Sequence, residues 1–244
     1  MVFLYSLINA QSVFKNKFEP KSAILMDVSF KQQYPGADMA KRFGKNASLG
    51  MDVSYKSKSN WFVTIGGHFI FGNTVLENGI LDSLKSKSTG EIFDQNGQFA
   101  TVGLDQRGMF LGASLAKTFP ISKVNKNSGI YLALGGGYLQ HRIRIYTTST
   151  VPQLTDKYKK GYDRFTFGPA LTQSIGYRFL DPKKRLNFFF GFEMTEGFTQ
   201  NRRSVNFDTR IRDTEKRLDL LYGIKLSLTI PLYLKKLEEE EFFE

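Results

Sequence analysis

The chain has 244 residues, with 34 Lys and Arg against 23 Asp and Glu for a net charge of +11, and 41% hydrophobic residues at a mean hydropathy of −0.29. That length suits one domain, and no run of roughly eighteen apolar residues is present, which excludes a membrane-spanning helix. Cysteine is absent, which excludes thiol catalysis, cysteine metal sites and a disulfide scaffold.

Met1 to Ala10 is a short apolar stretch that reads as the remnant of a truncated signal peptide, with cleavage before Gln11, the alternative being a mature apolar arm. It lacks the basic n-region, since the first Lys or Arg is Lys15. Residues 11–21 then form an N-terminal arm, and 22–234 carry eight stretches with a two-residue rhythm. The first five are Ala23 to Lys31, Ala47 to Lys56, Trp61 to Phe71, Met109 to Phe119 and Ile130 to Tyr138. In the sixth, Phe165, Phe167, Leu171, Ile175, Tyr177 and Phe179 oppose Thr166, Gly168, Ala170, Thr172, Ser174 and Gly176. In the seventh, Phe188, Phe190, Phe192 and Met194 oppose Phe189, Gly191, Glu193, Thr195 and Gly197. In the eighth, Leu220, Tyr222, Ile224, Leu226, Leu228, Ile230 and Leu232 oppose Gly223, Lys225, Ser227, Thr229 and Pro231. Successive side chains of a strand leave opposite faces, so each stretch has one hydrocarbon face and one small or polar face.

That pattern predicts an all-β fold: an eight-stranded antiparallel up-and-down transmembrane β-barrel, large side chains to lipid and small ones to the lumen. A barrel shows only every second residue to lipid, which explains the modest mean hydropathy. The connections Tyr34 to Asn46, Asn73 to Arg107, Tyr146 to Asp163 and Asn201 to Thr214 are long. Those at Ser57 to Asn60, Ile121 to Gly129 and Asp181 to Asn187 are shorter and rich in turn residues. Long outer loops alternating with short periplasmic turns put both termini in the periplasm. The second long connection, with Asp94-Gln95-Asn96-Gly97, is expected to hold a small hairpin outside the membrane. Gly135-Gly136-Gly137 lies inside a strand with no helix after it, so it is not a phosphate loop. Residues 235–244 form an acidic tail, read as solvated and periplasmic.

With its eight alternating strands, signal-like start and closing strand Leu226, Leu228, Ile230, Leu232 and Tyr233, the chain resembles the small eight-stranded bacterial outer-membrane β-barrels, the family of the OmpA membrane domain. The resemblance covers roughly Ser22 to Leu234 and implies a fold and a Gram-negative outer-membrane location, but no residue-level activity. The acidic tail departs from the strictly terminal closing signal of such barrels, and no periplasmic domain follows the strands in this sequence.

An interior of this strand number is just wide enough to be filled by side chains. Asp27, Asp52, His68, Arg178, Glu193 and Lys225 have lumen parity, and buried charges are costly unless paired. Cross-barrel pairs of Lys225 or Arg178 with Asp27, Asp52 or Glu193 are therefore expected, closing the lumen as a polar plug; a gated ion path is the competing use. Arg142, Arg144, Lys157, Lys159, Lys160, Arg164, Arg202, Arg203, Arg210 and Arg212 form a basic patch on the predicted outer loops, suited to the phosphates and carboxylates of lipopolysaccharide. Their place outside the cell argues against nucleic acid as the partner.

The expected role is structural or surface-interacting, without enzymatic activity, cofactor or metal, and with outer-membrane lipid, lipopolysaccharide or an external partner against the protein. A second reading is an accessory barrel of an envelope secretion or barrel-assembly complex. A third is an outer-rim lipid-modifying enzyme using His68 or His141, although neither sits in a recognisable motif. A soluble lipocalin-like binder would alternate too, but with its large side chains inside.

Overall fold

Period-two alternation of large and small residues is satisfied by extended backbone, and strands without free edges require a closed sheet. The computed structural model describes residues 21–77, 79–181 and 186–233. Its strands are β1 (Ala23–Gly36), β2 (Asn46–Lys56), β3 (Trp61–Gly72), β4 (Val102–Pro120), β5 (Gly129–Thr147), β6 (Thr166–Leu180), β7 (Asn187–Asn201) and β8 (Lys216–Tyr233). Each pairs antiparallel with its sequence neighbours, and β8 returns to β1, so the sheet is a closed up-and-down barrel. The expected signal remnant, nearly all of the N-terminal arm and the acidic tail lie outside the described residues.

Partners followed from Asp27 through Asp52, Gly66, Gly112, Gly137, Ala170, Gly197 and Asp219 return to the first strand's end at Ala37, the residue just after β1. This stagger of ten residues goes with strands tilted by roughly 40°. The long connections 37–45, 73–101, 148–165 and 202–215 leave one end, here the loop end. The short ones at 57–60, 121–128 and 181–186 share the other, terminal end with the start of β1 and the end of β8. In the first short turn Asn60 takes a positive φ of 61°, a backbone that asparagine tolerates better than most residues.

Several strands outrun the expected ones, β4 and β5 by the most. β4 begins at Val102 rather than Met109, and β5 runs to Thr147 rather than Tyr138. The reason is a change of surroundings along the strands. Above the apolar wall the outward residues become Asp105, Arg107, Arg142 and Arg144, while inward Ile143, Ile145 and Leu104 pack under Ile80, Leu81 and Ile92 of the second long loop. The alternation inverts there, and a reading keyed to apolar-outward residues stops. The expected small hairpin is present in that loop, with Phe93 bridging Phe99 and Gly97 at φ 74°. The loops also hold single-turn helices α1 (Ala37–Ala40) and α2 (Asp156–Lys159), too short to leave a helical period in the sequence.

Inside, side chains form three layers. Phe62, Tyr131, Phe189 and Leu25 fill the terminal end, charged residues fill the middle, and Phe43, Ile70, Phe110, Leu139 and Leu221 begin an apolar core that continues into the loops.

Candidate functional site

Parity cannot say which face of a strand is inner; the closed barrel does. Leu134 is 62% exposed and Leu228 58%, whereas Glu193 is 7% and Asp27 3% exposed. The molecule is inside out relative to a soluble barrel, which removes the lipocalin-like reading. A continuous outer belt of Phe, Leu, Ile, Val and Tyr encircles all eight strands. Soluble monomers do not expose apolar patches of that extent; it is the surface of a membrane-spanning barrel.

The lumen-parity residues named above lie within this belt. His68 donates through Nε2 to Asp52 Oδ1 at 2.9 Å, and Lys225 Nζ donates to Asp52 Oδ2 at 3.1 Å and to Glu193 Oε2 at 3.2 Å. Glu193 also accepts from Ser174 Oγ at 3.0 Å and from Lys31, a residue absent from the expected set although its parity is inward. Arg178 donates through Nη2 to Asp27 Oδ2 at 3.0 Å, and Thr229 donates to the other oxygen. Three basic side chains thus meet three carboxylates, as buried charges must. Arg178 is further held among Tyr131, Phe62 and Phe189, at 4.6, 5.3 and 5.7 Å from the ring centroids. A cavity of about 40 Å³ remains in this layer, close to the volume of one water molecule.

Two glycines make room for the His68 and Asp52 side chains. A Cβ on Gly50 would lie 1.9 Å from His68 Nδ1, and one on Gly66 would lie 1.8 Å from Asp52 Oδ1. Ser29 Oγ lies 3.4 Å from His68 Nδ1, so hydroxyl, imidazole and carboxylate stand in line. The three could act as nucleophile, base and orienter only if a substrate reached them. Ser29 is 1% exposed and does not line the small cavity beside His68.

His141 does not stand on an open rim. It is 1% exposed and donates through Nε2 to Asp219 Oδ2 at 2.7 Å, while Arg42 Nη2 and Thr199 Oγ1 each donate to Asp219 at 2.5 Å. Among the described residues its Nδ1 has no hydrogen-bond partner, so none of their hydroxyls is poised against that nitrogen. Arg42 follows α1 and folds over the barrel mouth; the Leu218 amide donates to Asp38 Oδ2 at 3.0 Å and seats the same loop. Asp219 carries no apolar-outward signal of its own, since the apolar alternation of the eighth stretch begins at Leu220 while β8 begins at Lys216. Arg42 lies in a loop, where there is no strand parity to read.

The basic patch divides. Arg142 and Arg144 are on β5, on the outer wall of the barrel and not on a loop, because pairing with β4 continues past the apolar belt. Arg164 is turned to Glu77 at 2.9 Å and Asp208 at 2.5 Å, tying three long loops together, and Arg203 binds Asp163 at 2.5 Å. Lys159 pairs with Asp156 at 3.5 Å within α2, and Arg202 lies 5.7 Å from the Phe167 ring. Lys157, Lys160, Arg210 and Arg212 are exposed. On the wall, Arg107 stands directly opposite Arg142, and Asp105 opposite Arg144. Asp105 binds Arg107 at 2.9 Å, and among the described residues Arg142 and Arg144 have no carboxylate partner. These arginines border an open groove of about 420 Å³ over Phe69, Met109 and Phe165. Arg107 gives no sequence signal of its place on the wall, because the apolar alternation of β4 begins only at Met109.

Burial alone would raise the Asp208 carboxyl, but its hydrogen bonds to Arg164 more than reverse this and hold it below its ordinary value of 3.8. A carboxyl with a lowered folded-state pKa contributes stability that is full above the unfolded value and is lost as pH falls through the folded one. The loop clasp is therefore expected to be pH-independent above about 4 and to open below it. Hydrogen exchange in residues 202–215, corrected for intrinsic rates, checks this; protection that persists unchanged into strong acid would show that the clasp does not depend on this ion pair.

No protein-family model and no curated protein matches the chain. Solved structures do match. Neisserial surface protein A is 10% identical, with 86% of this chain and 97% of that one covered and a TM-score of 0.43. Ail, the attachment invasion locus protein of Yersinia pestis, is 8% identical, with 86% and 99% covered and a TM-score of 0.43. The outer membrane protein OprG from Pseudomonas aeruginosa is 12% identical, with 87% and 97% covered and a TM-score of 0.39.

Proposed function

We propose that this chain is an integral outer-membrane barrel with a plugged interior, whose role is structural or surface-interacting and whose loop end meets lipopolysaccharide. The observation that carries the reading is the outer wall itself: an apolar belt ends at the loop side in Arg107, Arg142 and Arg144. Asp105 neutralises Arg107, so the cations of this wall without a carboxylate among the described residues are Arg142, directly opposite Arg107, and Arg144, and like charges opposite each other on a sheet favour an added anion. At that level of the envelope the anions are lipid phosphates, which arginine binds bidentately. The exposed Lys157, Lys160, Arg202, Arg210 and Arg212 extend the same field outward. The neutral ion cluster and the small lumen cavity support a plug rather than a pore.

The decisive experiment is gel mobility of the protein in native outer-membrane extract, with and without boiling. A fast band that boiling abolishes supports the barrel in that membrane; a soluble periplasmic fraction with no shift refutes it. For the lipid contact, the double variant Arg107→Gln with Arg142→Gln is expected to retain roughly tenfold less phosphorylated lipid A after purification, without loss of the fast band. Equal retention by variant and wild type would remove the wall arginines from the contact.

One observation favours the accessory-subunit reading. Gln173 and Glu196 both lie on the outer face of the belt, 3.5 Å apart, where lipid offers no hydrogen bond to either. A photo-crosslinker at position 173 that captures a defined envelope protein would support it.

A further inference from the structure

A second groove lies on the opposite half of the same wall. It spans β4 to β7, has a volume of about 570 Å³, and is walled by Leu115, Leu132, Leu134, Ile175 and Phe192. At the terminal edge of the belt it opens between Trp61, Lys117 and Phe119, and it ends at Gln173, the eighth residue of the fifteen in β6. The groove therefore runs from the terminal-side interface to about the middle of the bilayer, the depth of one leaflet. Lys117 is directed outward at its mouth. Its ammonium lies 4.9 Å from the Trp61 ring centroid and 5.4 Å from that of Phe119, and among the described residues no carboxylate is within ion-pair distance. Aromatic rings at this height are interface anchors, and a lysine between them has its charge at headgroup level. A cation without an acid partner at the head of an acyl-sized apolar groove matches one occupant.

We propose that this groove holds an anionic phospholipid of the terminal-side leaflet, its phosphate on Lys117 and one acyl chain along Leu115, Leu132, Leu134 and Ile175. The site rests on the membrane-spanning reading and goes beyond it, since it concerns the leaflet opposite to that of the wall arginines. It makes the protein selective for lipid charge on its terminal side, where the belt offers no other outward cation within the groove.

The test is native mass spectrometry of the refolded full chain released from vesicles of equal parts phosphatidylglycerol and phosphatidylcholine. The wild type is expected to retain phosphatidylglycerol in preference, and Lys117→Gln to lower that retention by about fivefold, the effect of one basic residue near a membrane surface. Lys117→Arg is expected to keep it, and Leu134→Trp, which fills the groove while leaving the charge, to lose it. Lys58→Gln, at an exposed turn of the same end, serves as control. Retention of both lipids alike by the wild type, or an equal loss in Lys58→Gln and Lys117→Gln, overturns the site while leaving the barrel intact. Failure to insert, seen as absence of a heat-modifiable band, would instead overturn the membrane reading.

Discussion

Glu193→Ala is expected to cost about 3–5 kcal/mol of folding stability, the usual result of removing one partner from a buried ion cluster. Glu193 is the only carboxylate bound to Lys31 and one of two bound to Lys225 among the described residues. Without it, Lys31 is a buried cation in a layer sealed by aromatic side chains below and an apolar core above. Removing both members should behave differently. In the double variant Lys31→Met with Glu193→Leu, the remaining Lys225 and Asp52 still pair at 3.1 Å, so charge balance returns and most of the lost stability with it. Urea unfolding in detergent micelles, compared across the two single variants and the double one, gives the coupling directly. If Glu193→Ala costs no more than about 0.5 kcal/mol, as an exposed substitution would, water reaches the lumen freely and the plug does not exist. A conductance increase in Glu193→Ala with no loss of stability would point to the gated path instead.

Asp219→Ala is expected to cost a similar amount, about 3–5 kcal/mol, but with a local signature. Asp219 is fully buried and accepts from Arg42, His141 and Thr199 at once, so its removal strands a guanidinium, an imidazole N–H and a hydroxyl. Arg42 belongs to the first long loop, and its release should free that loop before the barrel opens. Trypsin should then cut after Lys41 or Arg42 at least tenfold faster, while the heat-modifiable band persists. Asp219→Asn keeps an acceptor for His141 or Thr199 and loses the negative charge that neutralises Arg42, so it should fall between wild type and alanine. Asp38→Asn is a contrasting case, because its Lys41 partner is 78% exposed and exposed ion pairs contribute little. An Asp219→Ala variant with wild-type cleavage in the loop would show that apolar packing of Phe43 and Met39, not the ion cluster, seats it.

The two variants separate the two ways this barrel is filled. The middle layer depends on charge balance within a low-dielectric space, where a lone ion is expensive and a matched pair is not. The loop-end layer combines an apolar core with a single carboxylate that gathers donors from β5, β7 and the first long loop. The wall arginines and Lys117 lie outside both layers, and in the proposals above an anion from outside the protein would complete Arg142, Arg144 and Lys117 at the two ends of the belt.

Strand number, strand order and the inward set Asp27, Asp52, His68, Arg178, Glu193 and Lys225 were legible in the sequence, because a half-buried strand has a period of two and each residue's face follows from counting. The same counting carried the alternation of long and short connections and the small hairpin at Asp94 to Gly97. It failed where the surroundings of a strand change along its length. β4 and β5 rise beyond the belt, so Arg142 and Arg144 belong to the wall and Arg107 joins them, a fact fixed by pairing between segments some thirty-five residues apart. Partner choice was equally out of reach. Lys31 meets Glu193 and Arg42 meets Asp219 only because closure of β8 onto β1, with its ten-residue stagger, brings distant positions to one height. Periodicity is a local property of the chain and is written in it residue by residue. Register around a closed ring, and with it which charges neutralise which, is a property of all eight strands together and was decided by the tertiary structure alone.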